Sequence, residues 1–184
     1  MQISYWGEAS PQVAGYQGEF ANNAMQAFVV EQLQGMPAHP GTSPNPMLTP
    51  TNKGDPDNHV YAAIRKAKQV ALTSVTAEQR AHFRTIPLAI GIGGVHYYSN
   101  CEVTKQSPGC EITRGNLQKD ILDHAHLTDA ELVAAGRAGS IKYASKRITA
   151  AALTIGFMNA LEFDRVRSVK VNMADGILIT PDYW

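Results

Sequence analysis

Apolar residues recur at helical spacing over most of this chain. From Glu19 to Gln34, Phe20, Ala24, Ala27, Phe28 and Leu33 fall on one side of a predicted helix, and Gly35 with Pro37 ends it. A second helix is expected from a cap at Asp57 to about Ser74. Val60, Ala63, Ile64, Ala67, Val70 and Ala71 form its apolar stripe, with Arg65, Lys66 and Lys68 opposite. Thr76 and Gln79 have the spacing of a capping box and open a short third helix. Thr113 to His124 reads as a fourth, with Leu117, Ile121 and Leu122 inward. Thr128 with Glu131 forms another capping box, and Leu127 with Leu132 occupies the two positions of a hydrophobic staple. Ile141, Ala144, Ile148, Ala151, Ile155 and Met158 then alternate steps of three and four residues, which predicts one face of a long helix over about 140–162.

The period changes near the end. Val169, Val171 and Met173 alternate with polar residues, Asp175-Gly176 makes a turn, and Ile177 to Ile179 follow, so a C-terminal β-hairpin is expected. Residues 1–18 carry Gly7, Pro11, Gly15 and Gly18 and read as irregular. Residues 35–56 hold six prolines and three glycines and read as one long loop. The predicted class is α+β and mainly helical: a single domain over 1–184, with about five helices around the long central one and a small sheet.

Composition narrows the partners. Sixteen Lys and Arg balance sixteen Asp and Glu, so no bulk field draws in nucleic acid or an anionic membrane. No apolar run reaches the ~20 residues of a membrane-spanning helix. The N-terminal MQISYWGEASPQ lacks a basic region followed by an apolar core, so no signal peptide is expected.

The candidate chemistry lies in Ile86 to Asn116, which holds both cysteines. Its apolar start, Ile86 to Tyr98, reads as a strand whose Gly91, Gly93 and Gly94 let another segment approach the backbone. These glycines lack the spacing of a nucleotide loop. His96 is followed by Ser107-Pro108-Gly109-Cys110. A cysteine nucleophile needs a nearby imidazole or another positive environment to hold it as thiolate, and a Ser-x-Gly turn before it can aim backbone amides at an oxyanion. In these positions, His96, Ser107, Gly109 and Cys110, the chain resembles the signature of the YkuD-type L,D-transpeptidases. It differs in Pro108, where the family carries histidine, and in lacking an arginine close after the cysteine.

The resemblance implies an enzyme acting on bacterial cell-wall peptidoglycan, a hydrolase or transferase with His96 as base and Cys110 as nucleophile, and a bacterial effector-type protein is expected. It would be secreted or delivered to the periplasm and met there by a cognate immunity protein. The same two cysteines, with eight residues between them, also suit a disulfide closing a short loop. That would leave Cys110 without a resting thiolate. The chain would then be a disulfide-stapled secreted toxin or binding domain with no cysteine chemistry. Asp120, Asp123, His124, His126 and Asp129 supply a second set of chemistry-bearing residues, of the types used by His/Asp-based hydrolases and nucleases. Asp123, His124 and His126 are its central members. No cofactor and no metal are called for by any motif.

Overall fold

The computed structural model describes residues 2–6, 13–17, 20–85, 89–101 and 110–169. β1 (Gln2–Trp6) pairs antiparallel with β2 (Val13–Gln17), Gln2 opposite Gln17 and Trp6 opposite Val13. This hairpin corrects the reading of residues 1–18 as irregular: the glycines and Pro11 punctuate the chain, yet Ile3, Tyr5, Val13 and Tyr16 are strand formers between them. α1 (Asn22–Phe28) runs on as a π-helical turn over Val29–Leu33. The long loop follows, broken by one 3-10 turn at Pro50–Asn52.

α2 (His59–Ser74) starts one residue later than expected. Its cap is Asn58, whose side-chain oxygen accepts the Tyr61 N–H at 3.0 Å; Asp57 instead pairs with Arg65 at the surface. α3 (Ala77–Phe83) carries the Thr76–Gln79 capping box with both reciprocal bonds made. β3 (Ala89–Ile92) is short, and Val95–Cys101 winds as a π-helix, so only part of the expected strand forms. β4 (Glu111–Thr113) leads into α4 (Arg114–His124), capped by Thr113. α5 (Asp129–Ala134) opens on the expected Thr128–Glu131 box. α6 (Ile141–Leu161) and β5 (Arg165–Val169) complete the described chain.

α6 is the axis of the fold. From Ile148 to Leu161 its residues are mostly small or aliphatic, and α1, α2, α4, α5 and the π-helix at 95–101 all pack on it. Ala144, Ile148, Ala151, Ile155 and Met158 are buried as predicted, whereas Ile141, in the first turn of the helix, is exposed. α2 crosses at Gly156. A Cβ there would stand 2.7 Å from the Ile64 carbonyl oxygen and overlap Ala67, so the two backbones meet where only glycine fits.

The mixed sheet has the order β3-β5-β4, with β3 parallel and β4 antiparallel to β5. Val166 and Ser168 face the core while Arg165 and Arg167 face out. The molecule is therefore mainly helical with a small sheet, the expected α+β class. The second half of the predicted C-terminal hairpin, from Val171 onward, lies outside the described residues. Among the described residues no helix is long and apolar enough to cross a membrane.

Candidate functional site

Two groups of side chains carry chemistry. The first surrounds the sheet. Cys101, at the end of the π-helix, and Cys110, immediately before β4, form a disulfide with their Cα atoms 5.6 Å apart. Both residues are buried. Cys110 has a positive φ of 39° and its carbonyl oxygen accepts the Ser168 N–H of β5 at 2.9 Å. The bridge thus ties the end of the π-helix to the antiparallel edge of the sheet.

His96 lies in the same π-helix, its ring against the backbone of Gly91, which fulfils the expectation that a glycine here admits a second segment. Its Nδ1 is buried without a hydrogen-bond partner among the described residues. Burial pushes its pKa down to about 4, so the imidazole is neutral near pH 7. A disulfide sulfur is not a nucleophile, and a neutral imidazole offers no ion pair to a thiolate. Ser107 and Gly109 lie outside the described residues, so the Ser-x-Gly-Cys turn is described only at Cys110.

The second group stands at the corner between α4 and α5, under the proline-rich loop. The loop is pinned there. Met47 and Leu48 are buried and their N–H groups donate to the Ala125 carbonyl at 2.8 and 3.1 Å. Ser43 Oγ and Asn45 Nδ2 both donate to Asp129 Oδ1 at 2.8 Å. Lys53 pairs with Asp123, which also accepts from Lys119 at 2.7 Å. Hydrogen bonds from Lys119 and Lys53 pull the Asp123 carboxyl down to about 2.

Behind this surface is an ionic cluster. Asp120 pairs with the buried Arg147 of α6 and lies 3.4 Å from Arg137 Nη1 and from His124 Nδ1. Burial disfavours the Arg147 charge and Asp120 opposes that effect; a guanidinium stays protonated in either case. Arg147 Nε and Nη1 are buried without partners among the described residues. His124 Nδ1 lies 2.7 Å from the Asp120 carbonyl oxygen, one helical turn back. That oxygen only accepts, so Nδ1 carries the proton, and in the neutral ring the lone pair lies on Nε2.

The trio Asp123, His124 and His126 is close in sequence and divided in function. Asp123 is engaged by two lysines and His124 by Asp120. His126 sits half-buried on the turn, and bonds from Thr128 lower the nearby Glu131 carboxyl. Among the described residues no three of His, Cys, Asp or Glu are placed to hold a metal ion. Sequence reasoning missed Arg147 and Arg137; a charged residue inside the apolar period of α6 was the available signal. Set against family models, curated proteins and solved structures, the chain matches none.

Proposed function

We propose that this chain is a disulfide-stapled domain of effector type that works in an oxidising, extracytoplasmic setting, as a toxin-like or binding module whose cysteines hold the sheet in place. The observation that carries this reading is the Cys101–Cys110 bridge between two buried residues beside β5. Disulfides persist in secreted and periplasmic proteins and are rare where cellular reductants keep thiols free. Peptidoglycan transfer by His96, Ser107 and Cys110 would need the bridge opened first, and a cell-wall substrate and an immunity protein enter with that chemistry.

Protein purified without reductant, denatured and assayed for free thiols separates the two. Its digestion of peptidoglycan fragments with and without reductant completes the test. The expected result is no free thiol and no turnover in either condition. Two free thiols, or a reductant-dependent turnover that Cys110→Ala abolishes, would restore the cysteine enzyme.

His124 favours a second reading, in which the domain is a His/Asp-based hydrolase. Its Nδ1 is fixed by Asp120, and its Nε2 has no protein partner among the described residues, the arrangement a general base requires. Turnover of nitrophenyl esters or bis-nitrophenyl phosphate that is lost in His124→Gln and kept in His126→Gln is the expected outcome. No turnover by the wild type, or equal turnover by His124→Gln, removes this reading.

A further inference from the structure

We propose that Arg137 and His124 form an oxyanion site whose substrate is a phosphate diester, a class that rests on the reading of His124 as a general base. Arg137 is placed by its own backbone. Gly136 follows α5 with a positive φ of 66°, and its N–H donates to the Val133 carbonyl at 3.0 Å. The Arg137 N–H donates to the Leu132 carbonyl at 2.8 Å. These two bonds are the Schellman closure that a left-handed glycine permits. From this turn the Arg137 side chain reaches α4, where its Nη1 stands 3.4 Å from Asp120 Oδ1. His124 Nδ1 stands 3.4 Å from the same oxygen. One carboxylate oxygen therefore gathers the guanidinium and the imidazole.

The charges of this group suit an anion. Asp120 gives its other oxygen to Arg147, so with His124 neutral the four side chains together keep one positive charge. Arg147 Nε and Nη1 are buried without partners among the described residues, so the group is rich in donors and poor in acceptors. Exposure rises outward, from 2% at Arg147 to 18% at His124 and 33% at Arg137, and an arriving anion meets the last two. A guanidinium carries five donors in a planar fork, so Arg137 can keep Asp120 and still hold two oxygens of a phosphate. The other carboxylates of this corner are turned elsewhere: Asp123 to Lys53 and Lys119, Asp129 to Ser43 and Asn45, Glu131 to Thr128.

A carboxylic ester is neutral at its reacting carbon, whereas a phosphate diester is anionic at its reacting phosphorus. A cation beside the base therefore suits the diester. Water would bond to phosphorus and give its proton to His124 Nε2. The P–O bond to the alcohol would break, its oxygen leaving with the electron pair and taking that proton.

Inorganic phosphate titrated into the full chain at constant ionic strength, followed by the ring resonances of His124, reads the site apart from catalysis. The wild type should show a saturable shift that chloride does not reproduce. Arg137→Gln should weaken it about tenfold or more, the fold-change of one charged hydrogen bond. Arg137→Lys, which keeps the charge and loses the fork, should weaken it less. Both variants are checked for an unchanged circular dichroism spectrum. In turnover of bis-nitrophenyl phosphate, Arg137→Gln should raise KM by a similar factor and leave the KM of a neutral nitrophenyl ester unmoved. No phosphate shift, one that chloride reproduces, or one that Arg137→Gln leaves intact would overturn the oxyanion site, even where His124-dependent turnover of the neutral ester keeps the base. Turnover of the neutral ester alone would overturn the diester as substrate. A phosphate shift lost in Arg137→Gln, with neither substrate turned over, would remove the base and the diester and uphold the anion site.

Discussion

The imidazole of His96 lies so close over Gly91 that a Cβ at residue 91 would stand 2.5 Å from both Cγ and Nδ1 of the ring. The missing side chain lets the π-helix fold back on the strand that precedes it. Gly91→Ala should cost about 1–3 kcal/mol, the usual penalty for overpacking. Equilibrium unfolding in urea measures this, and an unchanged midpoint would mean that the ring moves aside freely.

The same burial makes His96 a source of acid sensitivity. Its pKa falls from 6.5 to about 4 on folding. Between these values the unfolded chain binds a proton that the folded chain refuses, so stability is lost as pH falls through 6.5 toward 4. Comparing pH 7.5 with pH 4.5, the wild type should lose about 2–3 kcal/mol more than His96→Leu. A difference between the two proteins that does not vary over this window would contradict a buried neutral imidazole.

The Cys101–Cys110 bridge closes a loop of eight intervening residues. In the chain-entropy account, removing such a cross-link costs about 2–3 kcal/mol. The double variant Cys101→Ala with Cys110→Ala should therefore unfold at lower denaturant than the oxidised wild type. Adding reductant should shift the wild type and leave the variant unmoved. Coincident curves for oxidised wild type and variant would deny the bridge any part in stability.

Arg147 depends on Asp120. The arginine side chain is 2% exposed and the aspartate 12%, so removing the carboxylate strands a buried charge. Asp120→Asn should destabilise by about 3–5 kcal/mol, the usual cost of breaking a buried pair. Arg147→Met in the same background should recover most of that loss, because the unpaired charge goes with it. Calorimetric melting of the single and double variants decides, and an Asp120→Asn protein as stable as the wild type would refute the dependence.

The local parts of this fold were legible residue by residue. Thr76 with Gln79 and Thr128 with Glu131 complete helix caps over three residues. The period of α6 is equally local, since it follows from the steps between its own apolar positions. Errors arose where two local signals competed. Asp57 and Asn58 are both good caps, and Asn58 takes the position while Asp57 pairs with Arg65. The N-terminal hairpin was hidden by its glycines.

The candidate sites were legible as residue types and opaque as arrangements. Asp123, His124 and His126 stand close together in the chain, yet their partners come from the proline-rich loop, α4 and α5. The proline content announced that loop without saying that Ala125 and Asp129 would hold it.

By itself, then, the sequence determined the approximate helices, the two capping boxes at Thr76 and Thr128, the long central element and the pair of cysteines able to bridge. These rest on interactions within a few residues, which the order of side chains specifies directly. Only the tertiary structure decided that β3 runs parallel to β5, that His96 is buried on Gly91, and that Arg147 meets Asp120 from another helix. The sheet and the ion pair join segments far apart in the chain, and they form because packing around α6 brings those segments together.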